Sequence, residues 1–184
     1  MQPLLSPFLQ RQRFHAIHPY LFGDILDLGC GHAEVTQLLE EAQSYIGIEQ
    51  DVNLISWLEE NFPSRKFYQR DLDCEDLDIP GRFDTILMVA LIEHLRNPKR
   101  LLSQLPDYLK DEGKLVITTP TPFGDRIHRI GARLGFFSMI AVRDHETIYT
   151  KTKLRSLLEK NGFALIHHRS FLIGGNQLFV YSLI

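Results

Sequence analysis

The stretch from Ile25 to Thr36, ILDLGCGHAEVT, constrains this chain more than any other. A short apolar run, Ile25 to Leu28, is broken by Gly29 and Gly31, and Val35, Leu38 and Leu39 follow at helical spacing. This reads as a strand, a glycine turn and a helix, an arrangement that lets bare backbone come close to a ligand. The unit recurs at once. Tyr45 to Glu49 reads as a second strand, and Asp51 to Asn61 as a helix with Leu54, Ile55 and Leu58 on one face, stopped before Pro63. Two such units in series favour a parallel sheet covered on both faces.

Further strands are expected at Arg65 to Gln69, Phe83 to Val89 and Lys114 to Thr119. A helix over Leu95 to Leu109 is one that Pro98 can start and Pro106 can interrupt. An amphipathic helix from Leu4 to Tyr20, ending near Pro19, leads into the first strand and is expected to cover part of the fold. After Thr119 the pattern breaks at Pro120, Pro122 and Gly124, and residues 120–149 read as an insertion. Thr150 is a capping residue for a helix with Leu154, Leu157 and Leu158 buried and Asn161-Gly162 at its end. Phe163 to His167 and Gln177 to Leu183 close the chain as a hairpin about Gly174-Gly175-Asn176.

The length, 184 residues, suits one domain with one core. With 20 Lys and Arg against 23 Asp and Glu, the net charge of -3 provides no global field for nucleic acid. The longest apolar run, Ile86 to Ile92, is seven residues, well short of the roughly 18 a membrane-spanning helix needs. Two cysteines, Cys30 and Cys74, and an N-terminus without a basic-then-apolar layout point to a reducing cytoplasm.

Glu49, 18 residues beyond Gly31, closes the second strand where a carboxylate can accept from both hydroxyls of a ribose. Gln50 and Asp51 beside it are not basic, so a 2′-phosphate would find no cationic partner. Glu34 stands where a dinucleotide site would place a third glycine, and its charge disfavours a pyrophosphate. A nicotinamide-dependent oxidoreductase is thereby the weaker reading.

With these residues the chain resembles the class I S-adenosylmethionine-dependent methyltransferases, particularly the small-molecule type of the ubiquinone and menaquinone pathways. The resemblance rests on Asp27-Leu28-Gly29-Cys30-Gly31, on Glu49, on Asp71-Leu72, and on Phe83-Asp84 through Glu93-His94-Leu95. It implies a single Rossmann-like α/β domain over residues 1–184. The fold implied is a three-layer sandwich around a seven-stranded, mostly parallel sheet with an antiparallel last strand.

The resemblance further implies S-adenosylmethionine as cofactor, with Asp27, Gly29, Cys30 and Gly31 beside its methionine part and Glu49 and Gln50 at the ribose. Asp71 takes the adenine amino group, the Leu72 amide faces the ring, and backbone near Met88 helps hold the ammonium. Acidic residues suit a ligand that carries a sulfonium and an ammonium but no phosphate. Ala33 replaces a glycine usual in the family and is tolerated if the backbone there is already helical. Ala90-Leu91-Ile92 replaces carboxylates that some relatives use for a metal, so no metal is predicted.

Methyl transfer needs positioning and exclusion of water, and a base only for a protonated acceptor. His145, within Asp144-His145-Glu146, is the candidate base, and His128 and His94 are candidate substrate contacts. From Arg126 to Arg155 seven Lys and Arg stand against two acids around Phe136-Phe137-Ser138-Met139-Ile140. Such a stretch fits a lid over an apolar or anionic acceptor, or peripheral membrane contact through 126–143. The expected function is methyl transfer to an oxygen of a small molecule by a monomer or homodimer. The alternative is a non-catalytic subunit that holds the cofactor or its demethylated product.

Overall fold

The computed structural model describes residues 6–40, 43–133 and 147–184. Its seven strands are β1 (Ile25–Leu28), β2 (Tyr45–Glu49), β3 (Lys66–Gln69), β4 (Phe83–Val89), β5 (Leu109–Pro120), β6 (Phe163–Phe171) and β7 (Asn176–Leu183). They form one sheet in the order β3-β2-β1-β4-β5-β7-β6, in which β7 runs antiparallel to both neighbours and the other pairings are parallel. The Rossmann-like arrangement expected from the sequence is thus the observed one. The order reverses between β1 and β4, which opens a crevice at the carboxyl ends of the strands where open α/β sheets bind ligands.

The helices are α1 (Ser6–Ile17), α2 (Val52–Asn61), α3 (Pro98–Tyr108), α4 (Pro122–Arg133) and α5 (Lys151–Glu159). The strand pleat sends alternate residues to opposite faces, so β4 gives Ile86 and Met88 to one core and Leu87 to the other. The first core holds Leu101, Leu102 and Leu105 of α3 and Leu154 and Leu158 of α5. The second holds Ile17 of α1 with Ile55 and Leu58 of α2. Asp27 lies on this second face between apolar neighbours and is only 2% exposed.

Local chemistry sets the helix ends. The Asp51 carboxylate accepts from the amides of Asn53 and Leu54, at 2.9 and 3.4 Å, and caps α2. Thr150 accepts from the Lys153 amide at 3.3 Å and caps α5. Pro98 begins α3, and Pro106, near its end, does not interrupt it.

Three expectations are corrected. The helix expected after Gly31 is a short 3-10 turn, Glu34–Leu38. Ala33 enters it with φ +52, in the left-handed region and not the helical one. Its methyl is completely buried in the second core. That burial of about one methyl's worth, ~0.8 kcal/mol, offsets part of a left-handed cost of roughly 1–2 kcal/mol. β5 and β6 are longer than their apolar runs: β5 starts at Leu109, which pairs with Phe83 of β4, and antiparallel pairing to β7 carries β5 to Pro120 and β6 to Phe171. The lead-in helix ends at Ile17, and His18–Tyr20 forms a 3-10 turn. Among the described residues no helix is long and apolar enough to cross a membrane.

β5 ends at Pro120, and Tyr149 lies two residues before α5. Buried Gln177 on β7 ties these two points together, its amide nitrogen donating to the carbonyls of Pro120 at 3.3 Å and Tyr149 at 2.7 Å. Replacing Gln177 by Leu leaves both carbonyls without that donor. We expect a loss of about 2–4 kcal/mol, from an unsatisfied-acceptor cost of roughly 1–3 kcal/mol each, and urea denaturation measures it. Unchanged stability would mean that the tie carries no weight.

Candidate active site

The loop after β1 turns back sharply because Gly29 and Gly31 both adopt positive φ, +67 and +54. At Gly29 a Cβ would come within 2.8 Å of Leu91 Cδ1, whereas at Gly31 nothing lies within 4 Å. The first glycine therefore admits Leu91, and the second leaves bare backbone open to a ligand. Beneath the loop, Gly47 on β2 makes room for Cys30, whose Sγ would lie 2.8 Å from a Cβ there. Cys30 is buried, and burial pushes its thiol well above the usual range, so it packs and does not react.

Glu49 ties the loop to the end of β2. One oxygen accepts from the Gly31 amide at 3.1 Å, and the other from the amides of Gln50 at 2.8 Å and Asp51 at 3.2 Å. Three backbone donors fix the carboxylate in place.

The glycine loop separates two hollows. On one side a cleft of about 240 Å³ brings together Gly29, Glu49, Gln50, Asp71, Leu72 and His94, along with Arg70, Asp73 and Leu91. On the other a cavity of about 170 Å³ is lined by Asp27, Gly29, Cys30, Gly31 and Val89, and by Gln10, Arg13 and Glu34. Nine of the residues expected at the site line the two hollows: Asp27, Gly29, Cys30, Gly31, Glu49, Gln50, Asp71, Leu72 and His94. The Asp71 carboxylate accepts from the Asp73 amide at 2.9 Å. The Cys74 thiol and that amide hold Asp71 below the usual carboxylate range, so it is ionised at neutral pH.

Met88 has its side chain wholly within the core, and it is the next residue, Val89, that reaches the smaller cavity. His128 falls on α4, but its side chain is outside the described residues, and so is all of His145. Among the described residues no cluster of three or more His, Cys, Asp or Glu is placed to hold a metal.

The sequence reading missed Arg13. It lies on α1 and reaches the cavity beside the glycine loop, with its Nε buried and without a hydrogen-bond partner. Burial lowers the pKa of its guanidinium, and the charge of Glu93 opposes that shift. Both carboxylate oxygens of Glu93 are likewise buried and unpartnered. Gln10 on the same helix donates to Glu34, so α1 is laced to the loop it covers. The signal available was the basic residue of the lead-in helix, which nothing in the sequence connected to a loop beginning 16 residues later.

Tyr45 was also missed. Its hydroxyl donates to the Asp27 carboxylate at 2.8 Å. Burial nevertheless dominates and raises the Asp27 carboxyl to about 7, while the Tyr45 hydrogen bond lowers it and the charges of Glu34 and Glu49 raise it. An ionised Asp27 in this setting is an anion waiting for a cation.

The chain matches the family described as a methyltransferase domain over residues 4–168. It is 26% identical over 154 residues to a malonyl-[acyl-carrier protein] O-methyltransferase of Paenibacillus sp. (strain JDR-2), covering 78% of this chain and 56% of that one. It is 27% identical over 100 residues to a ubiquinone biosynthesis O-methyltransferase of Coxiella burnetii, covering 52% and 42%. The chain spans about half the length of these curated relatives. Among solved structures it is similar to a Synechocystis magnesium protoporphyrin IX methyltransferase with bound S-adenosylhomocysteine. That similarity has a TM-score of 0.71 at 14% identity and covers 95% of this chain and 84% of that one. A Haloferax volcanii protein solved with the Trm112 methyltransferase activator has a TM-score of 0.79 at 12% identity, covering 97% and 92%.

The Asp27 shift has a sign that can be checked. A carboxyl whose pKa is raised from 3.8 to about 7 on folding binds more protons in the folded state, so its contribution is fully present below the unfolded value and is lost as pH rises toward 7. The stability difference between the wild type and Asp27→Asn should therefore change steadily between about pH 4 and 7, read from urea midpoints. A flat difference would contradict the shift.

Proposed function

The chain belongs to the methyltransferase-domain family, and from that premise we propose that it moves a methyl group from S-adenosylmethionine to a small-molecule acceptor, at an oxygen of a phenol, hydroxyl or quinone precursor. The observation that carries this reading is the pair of hollows on either side of one glycine loop, with carboxylates in both and in one an arginine whose Nε is buried without a hydrogen-bond partner. An elongated ligand with a nucleoside at one end and an amino acid at the other matches that division.

The cofactor supplies a methyl group already activated on a positively charged sulfur. The rest falls to the protein. Glu49, held by three backbone amides, accepts from the ribose hydroxyls with its remaining lone pairs. Asp71 accepts from the adenine amino group. Asp27 faces the ammonium and Arg13 the carboxylate of the methionine end, so each gains a directly opposed charge from the ligand. α1, laced to Glu34 through Gln10, covers this end and keeps water from it.

His94 lies in the cleft wall and is proposed as an acceptor contact, together with His128 on α4. His145 is proposed as the base for an acceptor that arrives protonated. The exposed Phe123 and Ile127 on α4, beside Arg126, suit an acceptor with apolar and anionic parts. Oxygen is favoured over carbon or nitrogen by the names of the two O-methyltransferase relatives. The two free thiols, Cys30 and Cys74, suit a reducing compartment.

Calorimetric titration with S-adenosylmethionine, S-adenosylhomocysteine and NADH tests the reading. Micromolar binding of the first two and none of NADH is expected. Binding without turnover of any phenol or quinone precursor would favour a non-catalytic holder of the cofactor. Glu49→Ala should weaken S-adenosylmethionine by about 1.5–3 kcal/mol, the range for hydrogen bonds to a charged group. Because Asp27 must be ionised to receive an ammonium, affinity should also fall as pH drops below about 7, a dependence that Asp27→Asn removes. Wild-type affinity in Glu49→Ala would refute its role at the ribose.

A further inference from the structure

A larger hollow lies between α3 and α5, away from the glycine loop. Lys99 at the start of α3 meets Lys153 and Lys160, on and just beyond α5, across a groove of about 650 Å³ whose wall also includes Arg96 and Tyr149. Among the described residues no carboxylate lines it.

The pairing of neighbouring cations sharpens this observation. Arg100, one residue from Lys99, is paired with Asp76 at 2.9 Å, and Arg155, two residues from Lys153, with Glu159 at 2.6 Å. Among the described residues Lys99, Lys153 and Lys160 have no such carboxylate. The helices therefore pair Arg100 and Arg155 with carboxylates and leave the three groove lysines without one. Lys153 is held in place, with Nζ 5.2 Å from the centroid of the Tyr149 ring. In a chain of net charge -3, uncompensated positive charge gathered in a concave site raises the local concentration of anions.

The groove adjoins the cleft through consecutive residues. His94 and Leu95 line the cleft, and Arg96 lines the groove. The Thr147 amide donates to the Glu93 carbonyl at 3.2 Å, tying the groove's wall to the same turn. An acceptor that touches His94 with its reactive end can thus extend past Arg96 into the groove.

We propose that this groove binds a phosphate-bearing arm of the methyl acceptor, and that the substrate class is therefore phosphorylated small molecules. Lysines act on phosphate as mobile point charges without demanding the planar, two-pronged geometry of a carboxylate pair. Three of them around a hollow larger than one phosphate suit an arm with several anionic oxygens. The proposal rests on the methyltransferase reading for the identity of the acceptor, although the groove's affinity for phosphate does not.

Pyrophosphate is the first probe, titrated into the protein with and without S-adenosylhomocysteine and followed by backbone amide NMR shifts. Shifts gathered at residues 96–99 and 147–161 are expected. In the triple variant Lys99→Gln, Lys153→Gln, Lys160→Gln, pyrophosphate affinity should fall about tenfold or more while S-adenosylhomocysteine affinity stays unchanged. No binding, or binding the triple variant does not weaken, overturns the groove as a phosphate site.

The second arm compares hydroquinone with 4-hydroxyphenyl phosphate on the S-adenosylhomocysteine complex. The phosphorylated compound should bind about tenfold more tightly, and the triple variant should lose that advantage. No advantage would mean that the groove takes free phosphate and not an acceptor's arm. Failure of S-adenosylhomocysteine to bind would instead strike the methyltransferase reading, and the pyrophosphate titration of the protein alone would still report on the groove.

Discussion

The hydrogen bonds made by the Glu49 carboxylate are the constraint on which the cleft depends. Two strands that pair in parallel end at the same edge, and the loop leaving β1 must turn away from β2 without collapsing onto it. Glu49 accepts the Gly31 amide across that gap while two further amides at the start of the α2 turn hold it in place. The loop is thus pinned at one atom and remains bare elsewhere, because Gly31 has nothing within 4 Å of where a side chain would begin. The residue that shapes the loop is also the one proposed to receive the ribose.

Around that pin the charges are arranged unevenly. Asp27, Glu34 and Glu49 crowd the loop, and burial keeps Asp27 from ionising until about pH 7. Left alone, this concentration of negative potential is unfavourable. A ligand with two positive centres and one carboxylate relieves it, and Arg13 is the single cation lining the smaller cavity among the described residues. A pyrophosphate would aggravate it, which is the physical ground for preferring a sulfonium cofactor over a dinucleotide.

Much of this was legible in the sequence because the signals are local. Asp51 and Thr150 cap helices that begin at the next residue, and the apolar runs of β1, β2 and β4 are strands buried on both faces. Glu49 was legible because the length of one β-α-β unit fixes where the second strand ends. What was not legible depends on contacts between distant segments. Whether the turn after Gly31 becomes an α-helix or a 3-10 turn depends on how Ala33 seats in a core built by α1 and α2. Arg13 became a site residue only when α1 folded back over the loop. The full length of β6 follows from pairing with β7 and the early start of β5 from the pairing of Leu109 with Phe83 of β4, and both add polar residues that no apolar pattern marks.

The same distinction explains why the acceptor side resists reading. Gln177 joins Pro120 to Tyr149, and Gly124 approaches so near Gly175 that a Cβ would fall 1.8 Å from its carbonyl oxygen. The excursion is therefore anchored at its base by β7 and the turn before it, and the sheet is complete without the intervening residues. A segment closed in this way can change length and composition at little cost to the core, since the entropy of closing a loop grows only slowly with its length. The residues proposed for the cofactor, built into strand ends, are held by the sheet's own geometry and so follow rules a sequence can reveal. The groove beside α3 and α5 lies between these regimes, since its lysines stand on elements fixed by the core but serve a ligand that the core does not specify.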